Sequence, residues 1–291
     1  MFRVFRKGRG TTQPAAAGHQ RVSRLARRPT RVLPCGMAPD APAGPMLWLA
    51  RGEHEIPSSG DWLTARESDR ASGMPYTKRR SEYLLRRWVC KRAVADVAGL
   101  PEDLPSLARI EVTNRPTGAP AVLVDGDDAG LDVSLSDRAG WAICVVGEGL
   151  GRLGCDLEIV EPRSPGFVAD FLTTAEQDYV AAQPLADRDA AANLIWSAKE
   201  SGLKVLQTGL RRDTRSVEVV VGGTDRTSGW ARLDVRPAEG GVLPGWWRRA
   251  GSFLVTVAAE APLPAPVPLA GSGDLESAVP VHSWVDRPWS G

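Results

Sequence analysis

Residues 154–158 read Gly-Cys-Asp-Leu-Glu, and residues 196–204 read Trp-Ser-Ala-Lys-Glu-Ser-Gly-Leu-Lys. The first stretch has the period of a strand: Asp156 and Glu158 share one face, with Leu157 and Ile159 on the other. The second has the period of a helix, stacking Trp196, Glu200 and Lys204 at i, i+4 and i+8 with Lys199 beside them. A strand with paired carboxylates therefore precedes a helix that carries a third carboxylate and two ammonium groups. Two carboxylates on one strand face repel unless a cation lies between them, and hard divalent cations such as magnesium prefer oxygen ligands. Taken alone, the strand also fits a solvent-facing acidic edge, and the helix an ordinary surface Glu–Lys pair.

Working outward, Thr173 and Glu176 form a capping box for a helix reaching about Val180. The helix with the two lysines covers about residues 190–207, with Gly209 as its stop. Strands follow at 217–221, 230–235 and 252–258. Upstream, Leu47–Ala50 is a short apolar strand, and Asp61 or Thr64 caps a helix running toward Arg70. Residues 78–98 carry apolar side chains at helical spacing and end at Gly99. Strands are expected at 110–113, 121–124, 131–135, 141–146 and 153–159. Each half is thus helices followed by a small meander, an α+β arrangement duplicated in element order at about 100 residues per lobe. The expected boundaries are an N-terminal extension at 1–46, lobes at 47–150 and 151–261, and a loose Pro/Ala-rich tail at 262–291. The extension is rich in Arg, Ala, Gly and Pro and has no acidic residue before Asp40. It reads as disordered, or as the product of a start upstream of Met37 or Met46.

Composition narrows the chemistry. The 291-residue chain has a net charge of +1, so no global basic field points to nucleic acid. No stretch approaches the roughly 20 apolar residues of a membrane span. The four cysteines are scattered without metal-site spacing and read as reduced thiols of a cytoplasmic protein. Histidine occurs only at 19, 54 and 282, which excludes a histidine-based catalytic triad or zinc site from residues 55–281. A general base there is a carboxylate, or else Lys, Tyr or Cys. Lysine occurs only at 7, 78, 91, 199 and 204, so two lysines in one short helix stand out in an arginine-rich chain. A compact ammonium suits a phosphate oxygen. No G-x-x-x-x-G-K-[ST] loop is present, so a nucleotide kinase is not expected.

Gly154–Glu158, then Phe171-Leu-Thr-Thr-Ala-Glu176, then Trp196–Lys204 resemble, in order and distance, the surfactin-synthetase-activating class of 4′-phosphopantetheinyl transferases. Asn114–Pro120, Val133–Trp141 and the arginine-bearing segment Arg80–Lys91 resemble upstream pieces of the same family, so the likeness covers about residues 47–260. It implies two pseudo-symmetric α+β lobes, each with helices on a small mostly antiparallel sheet, with coenzyme A in the cleft between them. Carried over, Asp156, Glu158 and Glu200 would be magnesium ligands, and Glu200 or a metal-linked water the proton acceptor. Lys204 would be the leaving-phosphate contact. Arg80, Arg86, Ser136, Arg138 and Lys199 would contact coenzyme A, with a structural role kept open for Lys199. Trp196 would fix the helix by packing. The acceptors would be apo acyl, peptidyl or aryl carrier proteins, and the simplest state a monomer. Two positions depart from the family: Asp137 stands where a phosphate-binding histidine is usual, and Ala119 where a basic residue is common. Both remove positive charge near the cofactor phosphate. Arg80, Arg86, Arg87, Arg115 or Arg138 could compensate. A non-catalytic relative that binds coenzyme A or carrier proteins is the alternative.

Overall fold

The computed structural model describes residues 44–208, 212–224 and 229–281. Most of the N-terminal extension, Gly209 and the last ten residues therefore lie outside the described residues. The fold is α+β. In chain order the elements are β1 (Leu47–Gly52), α1 (Ala65–Ser72), α2 (Thr77–Ala98), α3 (Leu104–Leu107), β2 (Ile110–Asn114), β3 (Pro120–Val124), β4 (Asp127–Asp128), β5 (Leu131–Arg138) and β6 (Trp141–Glu148). The second half has β7 (Leu153–Ile159), α4 (Pro165–Phe171), α5 (Thr174–Ala182), α6 (Arg188–Val205), β8 (Val217–Thr224), β9 (Ala231–Pro237), β10 (Leu243–Ala250), β11 (Phe253–Ala259) and β12 (Val267–Pro268). One sheet runs β12-β1-β6-β5, a second β7-β11-β10-β9-β8, and a small third β2-β3-β4.

Side-chain alternation builds the layers. Along β6, Trp141, Ile143 and Val145 enter a core shared by the two larger sheets, while Ala142, Cys144 and Val146 pack under α2. That double burial is why β6 is apolar throughout rather than alternating. β11 behaves likewise: Phe253, Val255 and Val257 enter the shared core, whereas Ala258 packs toward α6. Trp48 and Trp230 meet edge to face at 5.8 Å in that shared core.

The helix ends follow the sequence signals. Thr64 and Thr173 each cap a helix with a reciprocating glutamate, Glu67 and Glu176. α2 ends at Gly99 in the left-handed region (φ 64°), which glycine adopts without a side-chain clash. β10 lay beyond sequence reading because Pro244-Gly245 interrupts its pattern. A Cβ at Gly245 would lie 2.3 Å from the Val257 carbonyl of β11, so the pairing itself requires glycine there. Gly149-Leu-Gly-Arg-Leu-Gly154 carries the glycine spacing of a dinucleotide fingerprint, yet it runs into β7 rather than opening a helix.

The expected loose tail is not loose over its described part, 262–281. β12 pairs in parallel with β1, Ser272 Oγ donates to the Trp48 carbonyl (2.9 Å), and Leu275 is fully buried in the shared core. The Trp246 indole donates to Leu263 O, Arg248 pairs with Glu276, and Val281 N donates to Ala139 O. Its Pro and Ala content gave no helical or strand period, so single anchoring side chains could not be told from linker.

α6 lies unusually close to β7. A Cβ on Gly154 would sit 1.8 Å from Ser201 O, and one on Gly202 2.6 Å from a Val235 methyl. Gly154→Ala is expected to destabilise the fold by about 3 kcal/mol, because backbone rather than a flexible side chain must move. Chemical denaturation checks it, and an unchanged midpoint would show that α6 is free to shift.

Candidate active site

β5 and β7 are edge strands of their sheets and lie side by side, so serine hydroxyls bridge where a ladder stops. Ser134 Oγ accepts from Cys155 N (2.9 Å), and Ser136 Oγ donates to Asp156 Oδ1 (2.8 Å). Asp156 is buried, and its second oxygen accepts from Ser197 Oγ of α6 (3.0 Å). Ser197 and Ser201 in turn share Thr256 Oγ1 at 2.9 and 2.7 Å. A fully buried hydroxyl network from α6 and β11 thus holds the Asp156 carboxylate from below. From the other side, Lys204 Nζ donates to Asp156 Oδ1 (3.0 Å) and Cys155 O (2.7 Å).

Glu158, two residues on, accepts from the Trp196 indole (3.1 Å). It also pairs with Arg138 (3.2 Å) and Arg163 (3.3 Å). Trp196 is not only packing, although it does stack edgewise on Phe167 and Phe171 of α4. Arg163, which sequence reasoning did not single out, is fixed by donating to Asn193 Oδ1 at 2.7 Å. Its signal was one arginine among many.

Glu200 completes the cluster. Its Oε1 is buried without a hydrogen-bond partner. Burial, then the Asp156 charge, and further the Glu158 charge push its carboxyl up to about 7, against some relief from Lys204. Burial and Asp156 likewise raise Glu158, offset by Arg138 and Arg163. Burial works against the Lys204 ammonium, but Asp156, Cys155 and Glu200 outweigh it and hold Lys204 above its usual value.

The structure thus brings Ser136, Arg138, Asp156, Glu158, Glu200 and Lys204 together, turns Lys199 away from them, and places Arg80 and Arg86 on α2. Lys199 is fully buried and spends its three donors on Glu176 (2.8 Å), Thr214 O (2.9 Å) and Val217 O (2.5 Å), so it has none for a phosphate. The demand for a compact ammonium at 199 comes from that socket. Arg86 is paired with Asp137, so the aspartate turns to α2 rather than orienting Arg138. Arg80 is half-buried in the first turn of α2, next to Ser81. A cavity of about 70 Å³ opens beside Arg138, lined among others by Glu53, Lys78, Ser81, Glu82 and Asp137.

Among the described residues no three His, Cys, Asp or Glu side chains are grouped as a ready metal cage. The donor chemistry nevertheless fits a hard divalent cation. Glu200 has an orphaned buried oxygen, and it feels the charges of both Asp156 and Glu158. In this state the positive charge facing the three carboxylates comes from Lys204, Arg138 and Arg163.

Fold and site define an α+β protein with an acidic, lysine-bearing centre at the seam of two sheets. A family model described as ACPS, 4′-phosphopantetheinyl transferase superfamily, matches residues 152–232, from β7 to the start of β9, and so includes Asp156, Glu158, Glu200 and Lys204. The match supports the superfamily, whose members move phosphopantetheine from coenzyme A to carrier proteins. No curated protein matches the chain at a significant level. No described helix is long and apolar enough to cross a membrane.

Proposed function

We propose that the chain is an active phosphopantetheinyl transferase of the surfactin-synthetase-activating class, working on apo acyl, peptidyl or aryl carrier proteins. The observation that carries this reading is the meeting of Asp156, Glu158, Glu200 and Lys204 at the β5–β7 seam, with a Glu200 oxygen left unpartnered. Asp156, Glu158 and Glu200 would hold magnesium, which neutralises the pyrophosphate of coenzyme A when bound. Glu200 takes the proton of the carrier serine. The serine oxygen forms a bond to the β-phosphorus, and the bond to the departing 3′,5′-ADP oxygen breaks. Lys204 stabilises the charge left on that oxygen. Ser136, Ser197 and Thr256 keep Asp156 oriented. The protein is proposed to work as a cytoplasmic monomer, which suits the free buried thiols Cys90, Cys144 and Cys155.

A second reading rests on Asp137. Its carboxylate engages Arg86, so the charge available for the far phosphate of coenzyme A is reduced. A relative that binds coenzyme A or carriers without transfer would fit that. Incubation with coenzyme A, magnesium and a panel of apo carriers, followed by intact-protein mass spectrometry, separates the two. A gain of one phosphopantetheine, lost with EDTA, is expected. No gain on any carrier from folded protein would favour the second reading.

A further inference from the structure

The two lobes repeat more than element order. In the first, Thr64 caps α1 and Glu67 closes its capping box. Glu67 Oε1 also accepts from Val112 N, the third residue of β2, at 2.9 Å, while Oε2 pairs with Lys91 Nζ of α2 at 2.5 Å. In the second, Thr173 caps α5 and Glu176 closes the box. Glu176 Oε1 accepts from Val219 N, the third residue of β8, at 2.7 Å, and Oε2 pairs with Lys199 Nζ of α6 at 2.8 Å. Both lysines are fully buried, and each donates to two further backbone carbonyls, Trp62 and Leu107 for Lys91, Thr214 and Val217 for Lys199. Each lysine stands three residues after a tryptophan, Trp88 or Trp196. The chain therefore carries the same clamp twice: a capping glutamate, a buried helix lysine and the third amide of the following strand.

The copies differ in what comes next. Lys91 is followed by Arg92, which pairs with Glu102. Lys199 is followed by Glu200. A lysine whose three donors meet fixed acceptors on two other stretches of chain has one position, and this sets the rotation of its helix. On the reading given above, we propose that Glu176 and Lys199 are positioning residues that set Glu200 against Asp156 and Glu158, and that Glu67 and Lys91 form the same clamp without a site. Neither clamp residue touches the reacting atoms.

The first copy is the control for the second. Lys91→Met and Lys199→Met each remove one partner of a buried pair, so both should melt lower, by roughly 10 °C. Assayed well below both midpoints, Lys199→Met should lose kcat by about tenfold or more, with KM for coenzyme A within about twofold. Lys91→Met should keep both within about twofold. Hydrogen exchange should quicken over residues 196–205 and at Val219 in Lys199→Met, and over residues 88–97 of α2 and at Val112 in Lys91→Met, leaving 196–205 unchanged in the latter. Equal kcat losses in the two variants, or unchanged exchange at 196–205 in Lys199→Met, would overturn the proposal. If the wild-type chain transfers nothing, the transferase reading fails and the exchange contrast alone decides the clamp. Should Lys199→Met not fold, the Glu176→Gln/Lys199→Met pair, which buries no lone charge, takes its place under the same criteria.

Discussion

Glu200→Gln is expected to make the protein more stable and nearly inactive. Glu200 is held up to about 7, against a usual value of 4.5, first by burial and then by Asp156. Between those pH values the folded chain keeps a proton that the unfolded chain gives up. Stability is therefore full below about pH 4.5 and falls as pH rises through 7. The ionised group costs at most about 3 kcal/mol above that point. Glutamine cannot ionise, so at pH 8, without divalent cations, the variant should melt roughly 5–10 °C higher than wild type. The two melting curves should converge near pH 4.5. Magnesium should raise the wild-type midpoint and leave that of the variant nearly unmoved. On the role proposed for Glu200 as base, its loss should cut transfer by about 10²–10⁴. A scanning calorimetry series across pH reads the stability part, and equal midpoints at pH 8 would show that Glu200 carries no such stress.

Asp156→Asn should also abolish transfer, with the opposite effect on stability. Both Asp156 oxygens accept from donors: Ser136 and Lys204 on one, Ser197 on the other. An amide NH₂ in place of one oxygen turns a donor against a donor, either at the Lys204 ammonium or at the hydroxyl network. Lys204 also loses its counter-charge at about one-third exposure. The expected loss is about 3 kcal/mol, with the denaturation midpoint lowered accordingly. Transfer should fall by at least about 10². A midpoint equal to wild type would mean that Ser197 and Ser136 reorient freely, and that the network does not hold the carboxylate. The two substitutions thus separate a carboxylate that the fold strains from one that the fold satisfies.

Much of this centre was legible in the residues. The i, i+2 carboxylates of β7 and the i, i+4 pair Glu200/Lys204 needed only strand and helix periods. Thr173 with Glu176 announced α5, and Gly99 closed α2. What stayed hidden depended on tertiary contact. Lys199 differs from Lys204 only in which side of α6 meets β8, and no spacing within nine residues says which side is buried. The second duty of Glu67 and Glu176, reaching a strand amide more than 40 residues away, has no local signature. The Thr-x-x-Glu and Trp-x-x-Lys spacings recur in both lobes, but that each set closes the same clamp depends on contacts that no local spacing shows. Ser197, Ser201 and Thr256 read as ordinary small polar residues until burial put them under Asp156.

The strap formed by residues 262–281 bears on how the molecule comes apart. It begins against Trp246 of the second lobe and finishes on the β5–β6 turn of the first, burying Leu275 between them. With Trp48 and Trp230 in a common interior, neither half can open without unwrapping this length of chain and wetting its neighbour. Unfolding should accordingly be a single cooperative event, its calorimetric and van't Hoff enthalpies equal.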